Sequence, residues 1–308
     1  MARKPIIKVV NLAKHYKMGP STVRALDKIN LEIYSGELII IFGQSGCGKS
    51  TLMSLLAGLD KPTSGEILVR GENLSNMSAN QLSKYRRTKI GMVFQQYNLI
   101  PNMTALDNIS LPLAFDGTSR RRRAKRARNV LELIGVSKLA ERTASEMSGG
   151  QQQKVSIARA WVTSPWIVFA DEPTGNLDSK SADEVIRLIK RLNEKSKRTV
   201  LLITHNPEYL SLADRVIYLK DGKIVRISGQ IKGASRRQKR NELEQLSGVG
   251  RGVAENLFAA NYRNMLDVAS ADTDELAKVK GVTKNMASVI KKEAQSIMMA
   301  REGFSEEE

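Results

Sequence analysis

The chain has 308 residues, 41% hydrophobic and 26% charged, which excludes wholesale disorder and allows about two domains at roughly 150 residues each. Its single cysteine, Cys47, rules out an intramolecular disulfide and fits a reducing compartment. The net charge is +17. Residues 231–308 hold 13 basic and 12 acidic groups, so residues 1–230 carry +16 and point to an anionic partner.

In chain order, residues 5–16 alternate apolar residues with Lys and Asn, so no signal peptide is expected, and no apolar run reaches the roughly 20 residues of a membrane span. Leu38–Phe42 predicts a buried strand and Thr51–Ala57 a helix. Further strands are expected over Ile90–Phe94, Ile167–Ala170, Val200–Ile203 and Val216–Leu219, with helices from Arg120 to Ile134 and over Lys180–Asn193. This alternation predicts an α/β domain with a mostly parallel sheet over residues 1–228. Residues 229–241 read as a linker carrying Arg236, Arg237, Lys239 and Arg240, residues 242–300 as a helical domain, and 301–308 as a polar tail.

Between the first of these strands and its helix, Gly43, Gln44, Ser45, Gly46, Cys47, Gly48, Lys49 and Ser50 match G-x-x-x-x-G-K-[ST]. Glycines let backbone N–H groups curl around phosphates, and the helix N-terminus adds partial positive charge. Lys49 is expected to reach the β- and γ-phosphates and Ser50 to ligate Mg²⁺. Cys47 is either simply a small residue that fits the loop or, activated by the helix N-terminus, a thiol whose alkylation would block nucleotide entry. Ile167–Glu172 is an apolar strand ending in two acids. Asp171 is expected to hold Mg²⁺ and Glu172 to polarise a water against the γ-phosphate.

Further motifs stand in a fixed order around these two. With them the chain resembles the ATP-binding cassette (ABC) ATPases over about residues 5–227. Ser148, Gly149, Gly150 and Gln151 resemble the signature motif, with Met147 where Leu is usual. Gln95 resembles the Q-loop glutamine, Asn176, Leu177 and Asp178 the D-loop, and His205 the switch histidine. Tyr16 resembles the aromatic that stacks on adenine, with His15 as the other candidate. The resemblance implies an ATPase fold with a helical subdomain. In it Lys49, Gln95, Glu172 and His205 would be catalytic, Gln95 would join Ser50 and Asp171 at Mg²⁺, and Thr51 would complete the ATP contacts. It also implies a head-to-tail homodimer, with ATP between Gly43–Thr51 of one copy and Ser148–Gln151 of the other.

Ala170–Asp178 and Phe94–Ile109 are similar to the lipoprotein-release, macrolide-export and cell-division branch. There the cassette serves a separate membrane permease, expected to touch residues near Gln95–Thr104, from the cytoplasmic face of the membrane. The basic run Arg120–Arg128 is either a solvated helix face or a contact with anionic lipid.

The last third contains a repeat. Leu243, Leu246, Gly248, Val249, Gly250, Ala254 and Leu257 recur 33 positions later as Leu276, Val279, Gly281, Val282, Thr283, Ala287 and Ile290. The spacing resembles a tandem helix-hairpin-helix, with Thr283 departing from the second glycine. Its partner is expected to be a protein, or nucleic acid through the hairpin N–H groups of Gly248–Gly250 and the clusters Arg236–Arg240 and Lys278, Lys280, Lys284, Lys291 and Lys292. The leading function is thus the ATP-hydrolysing subunit of an ABC export or lipoprotein-release transporter. A soluble ATPase acting on nucleic acid is the alternative, and a membrane scaffold like the cell-division member a third reading.

Overall fold

A computed structural model of the chain describes residues 4–229, 243–244, 246–260, 262, 268–269 and 271–302. Residues 230–241 of the expected linker and 303–308 of the tail lie outside the described residues. The chain divides into two compact units, Met1–Lys232 and Gly233–Glu308.

The first unit begins with two long strands, β1 (Ile7–Met18) and β2 (Ser21–Ile33), followed by β3 (Leu38–Phe42) and helix α1 (Lys49–Leu56). Next come β4 (Ser64–Val69), β5 (Glu72–Asn73), α2 (Ala79–Lys89), β6 (Ile90–Val93), α3 (Ala105–Phe115), α4 (Arg120–Leu133) and α5 (Gly149–Trp161). The unit closes with β7 (Ile167–Asp171), α6 (Ser179–Ser196), β8 (Thr199–Ile203), β9 (Arg215–Lys220) and β10 (Lys223–Gly229). One sheet runs β10-β9-β3-β8-β7-β6, parallel except for β10.

The strands of this sheet read as unbroken apolar runs because both faces are covered. Leu38 and Ile40 enter a core with α3, α4, α5 and α6. Ile39 and Ile41 enter another with α1 and the second sheet. That second sheet, β2-β1-β4-β5, is antiparallel and was not anticipated. Its strands are bulged, with register shifts between Val9 and Leu12 and between Lys14 and His15. A bulge breaks the two-residue periodicity that marks a strand.

In the second unit, Leu243, Leu246, Val249, Ala254 and Leu257 are buried, and so are Leu276, Val279, Val282, Ala287 and Ile290. Both halves therefore contribute the same positions to one core. Helices α7 (Arg251–Ala259), α8 (Thr273–Leu276) and α9 (Lys284–Glu302) carry half of them, Ala254, Leu257, Leu276, Ala287 and Ile290. Gly248 and Gly281 occupy the left-handed region, with φ +80° and +90°. The departure at Thr283 does not disturb the second hairpin. Gly250 has no positive φ to require glycine, and Thr283 accepts the Met286 N–H at 3.3 Å as a helix cap.

Candidate nucleotide site

The loop from Gly43 to Gly48 leaves β3 and turns into α1. A Cβ on Gly43 would stand 2.2 Å from the Leu219 carbonyl oxygen, and one on Gly48 would stand 2.5 Å from that of Ala25. Gly48 also has φ +104° and caps α1. Helix α1 begins at Lys49, two residues before the expected start at Thr51. The Cys47 side chain turns into the apolar core, only 8% exposed. Of the two readings, this placement favours the small residue that fits the loop, since an alkylating reagent would have to enter the core first.

Lys49 is buried, and its ammonium donates to the Gly43 and Gln44 carbonyls at 2.8 and 2.7 Å. Ser50 Oγ donates to Asp171 Oδ1 at 3.4 Å, joining the loop to the end of β7. Burial raises the Asp171 carboxyl above its ordinary value. The Ser50 hydrogen bond opposes this, the Glu172 charge adds to it, and Lys49 opposes it. Glu172 has φ +43°, its N–H donates to the Ile203 carbonyl at 3.1 Å, and its carboxylate lies 3.3 Å from His205 Nδ1. A cleft of about 420 Å³ is lined by Ser45, Gly46, Gly48, Lys49, Ser50, Thr51 and Glu172.

Val23, Arg24, Ala25, Asp221 and Gly222 complete that cleft and were missed by the sequence analysis. The available signal was the pairing of β1 with β2, which sets Tyr16 opposite Val23 and His15 opposite Arg24. Tyr16 is 38% exposed. His15 Nε2 is buried without a hydrogen-bond partner among the described residues, so of the two candidates Tyr16 presents the more open ring.

Gln95 and the D-loop form a second cluster. Gln95 Nε2 donates to Asn176 Oδ1, and Asn176 Nδ2 returns a bond to the Gln95 carbonyl, both at 3.3 Å. Gln153, also missed, donates to the Phe94 and Pro173 carbonyls at 3.2 and 2.7 Å and ties the two segments together from within. Ser148 caps α5 with reciprocal bonds to Gln151. Gly150 lies against Ser181, and Gly149 against Tyr97. Asp178 caps α6 by accepting the Ser181 N–H at 2.9 Å. Leu177 packs against the core that α5 and α6 share.

A separate groove of about 650 Å³ lies between α2, β6, α3 and α5, with Arg86, Met92, Phe94, Pro112 and Phe115 on its walls. In the basic run of α4, Arg128 pairs with Glu141 at 3.1 Å and Arg126 donates to Ser164 at 3.4 Å, while Arg120, Arg121 and Arg122 are exposed. In the second unit, Lys278 pairs with Glu275 and Lys284 with Asp274 at 3.0 Å. The Ser247 N–H and hydroxyl both donate to the Glu293 carboxylate, at 2.7 and 2.8 Å. The first hairpin thus already carries a carboxylate.

Residues 26–175 match the family described as ABC transporter, and residues 240–296 match the SAM-like helix-hairpin-helix tandem. An uncharacterized ABC transporter ATP-binding protein of Methanocaldococcus jannaschii, MJ0796, is 44% identical over 225 residues, or 72% of this chain and 96% of that protein. The dimeric structure of that cassette superposes with a TM-score of 0.67, covering 72% of this chain and 98% of that one. A post-hydrolysis structure of MJ0796 bound to ADP and Pi gives the same score at 43% identity, with the same coverage of both chains. The macrolide export ATP-binding/permease protein MacB of Pasteurella multocida is 41% identical over 249 residues, or 81% of this chain and 38% of that protein.

Proposed function

Because the chain belongs to the ABC transporter family of ATP-binding cassettes, and its relative MJ0796 has been captured after hydrolysis with ADP and Pi, we propose that it is the ATP-hydrolysing subunit of an export or lipoprotein-release transporter. The observation that carries this reading is the convergence of Lys49, Ser50, Asp171 and Glu172 from two strand ends. Residues 1–228 form the cassette, and 242–300 the helix-hairpin-helix domain.

In this reading Gly43–Thr51 wraps the phosphates and Lys49 exchanges its two carbonyl partners for β- and γ-phosphate oxygens. Ser50 Oγ and Asp171 Oδ1 are hard oxygen donors that already approach each other, a set that fits Mg²⁺. Bound there, Mg²⁺ would supply charge compensation for the phosphates. Glu172 accepts the proton of the attacking water, and His205 orients that carboxylate. Gln95 would join the metal site by releasing Asn176. Tyr16 stacks on adenine.

The dimeric relative supports a dimer of the cassette, and in this reading the two copies stand head to tail with Ser148–Gln151 of the second closing over the γ-phosphate. There the N-terminus of α5 meets an anion. MacB is named as ATP-binding protein and permease in one, whereas residues 240–296 here match a different domain. In this reading the partner is a permease on another chain, touching residues near Gln95–Thr104 beside the groove walled by Phe94 and Phe115, at the cytoplasmic face of the membrane. Among the described residues no helix is long and apolar enough to cross a membrane. Nucleic acid is disfavoured by Glu293 on the first hairpin and by the pairing of Lys278 and Lys284, two of the five lysines near the second.

Glu172→Gln tests the chemistry. Phosphate release should fall about 100-fold or more, while ATP is still bound and a dimer accumulates on size exclusion. Turnover at the wild-type rate would remove Glu172 as the base. Co-purification with a co-expressed permease tests the transporter reading.

A further inference from the structure

The phenol of Tyr16 turns onto a small charged cluster. Its hydroxyl donates to Asp60 Oδ2 at 3.0 Å. The other oxygen of Asp60 accepts Lys14 Nζ at 2.7 Å and the Lys61 N–H at 2.7 Å. Lys14 donates as well to the Lys61 carbonyl at 2.7 Å, and its ammonium stands over the Tyr16 ring, 4.9 Å from the centroid.

The protonation states agree with this arrangement. Burial acts to raise the Asp60 carboxyl, but hydrogen bonds from Lys14, the Lys61 N–H and Tyr16 outweigh it and hold the group below its ordinary value. The Tyr16 hydroxyl is raised by burial and then by Asp60, so it stays a donor at neutral pH. Asp60 follows α1, the helix that the phosphate loop opens, and Thr51 in the first turn of α1 also interacts with the phenol.

We infer that Asp60 and Lys14 position Tyr16 as a one-faced platform for the purine of the bound nucleotide. Asp60 pins the far end of the ring, and Lys14 covers one face and leaves the other for the base. The inference rests on the reading of Tyr16 as the stacking residue. Both Asp60 and Lys14 are positioning residues. A ring already fixed loses less rotamer freedom on binding, and that preorganisation appears as affinity.

The test compares two probes on the full chain: ATP, and inorganic tripolyphosphate, which offers the phosphates without a base. Tyr16→Ala should weaken ATP and spare tripolyphosphate. Tyr16→Phe and Asp60→Ala should each weaken ATP about three- to tenfold, the worth of one hydrogen bond and the order it imposes. Neither should change tripolyphosphate. The double variant should be no worse than Asp60→Ala alone, because Tyr16→Phe then removes only a bond already lost. Asp60→Asn keeps an acceptor for the phenol and should recover most of the loss. If Tyr16→Ala weakens ATP while Tyr16→Phe and Asp60→Ala bind it normally, the positioning inference falls and stacking survives. If Tyr16→Ala binds ATP normally, stacking itself falls. An Asp60→Ala protein that weakens both probes alike would mark Asp60 as support for the phosphate loop and overturn the inference.

Discussion

In the loop between β3 and α1, a Cβ at Gly43 would lie 2.2 Å from a backbone oxygen, and one at Gly48 2.5 Å from another. In the first hairpin of the second unit, a Cβ at Gly250 would meet nothing within 4 Å, and one at Gly248 only the Met286 methyl at 3.7 Å. Both turns are glycine-rich in sequence, yet the demand differs. The phosphate loop is pressed against β9 and β2, so its glycines answer to neighbours as well as to dihedral angle. The hairpins answer chiefly to dihedral angle, at Gly248 and Gly281, and the nearest atom a Cβ would meet at Gly281 is a side-chain methyl of Val253 at 3.3 Å, not backbone. This is why the repeat tolerates Thr at one copy of its second glycine and the phosphate loop has no comparable freedom at Gly48.

The largest effect should come from Gly48→Ala, which adds a backbone clash to a φ of +104°. A cost on the order of 3 kcal/mol is expected, seen as a lower thermal midpoint of the cassette together with lost ATP binding. An alanine there that binds ATP normally would break the contrast. Gly281→Ala should cost about 1–2 kcal/mol, read as earlier unfolding of the second unit with ATP affinity unchanged.

Asp171→Asn separates electrostatic demand from steric demand. Burial raises the Asp171 carboxyl, so the folded chain takes up this proton at a higher pH than the unfolded chain does. The stability that proton contributes is present at low pH and is lost as pH rises through the raised value. At neutral pH the nucleotide-free Asn variant should melt about 1–2 °C higher than wild type, and that gain should vanish near pH 4. Its melting point should also stop responding to MgATP. The smallest effect is expected for Gly250→Ala, neutral or stabilising by about 0.5 kcal/mol in chemical denaturation of the second unit.

The central strands were legible because burial on both faces leaves apolar runs such as Leu38–Phe42 and Val200–Ile203 that need no periodicity. The phosphate loop was legible because its chemistry is local. The antiparallel sheet was not, since β1 and β2 are bulged and Asn11 and Lys28 adopt positive φ inside them. For the same reason Val23 and Arg24 were missed: only cross-strand register carries them to the cleft, some twenty residues upstream of the loop. The repeat was readable position by position, because each of its apolar residues enters one core.

Lys49 is 6% exposed and already satisfied by two carbonyls of its own loop. In the proposed reading an incoming triphosphate would therefore swap one set of acceptors for another instead of capturing a naked cation. When product departs, the same carbonyls take the ammonium back, and no charge is stranded in the interior. In the proposed site these two carbonyls compete with the phosphates for the ammonium, so each phosphate contact yields only the difference between two acceptors.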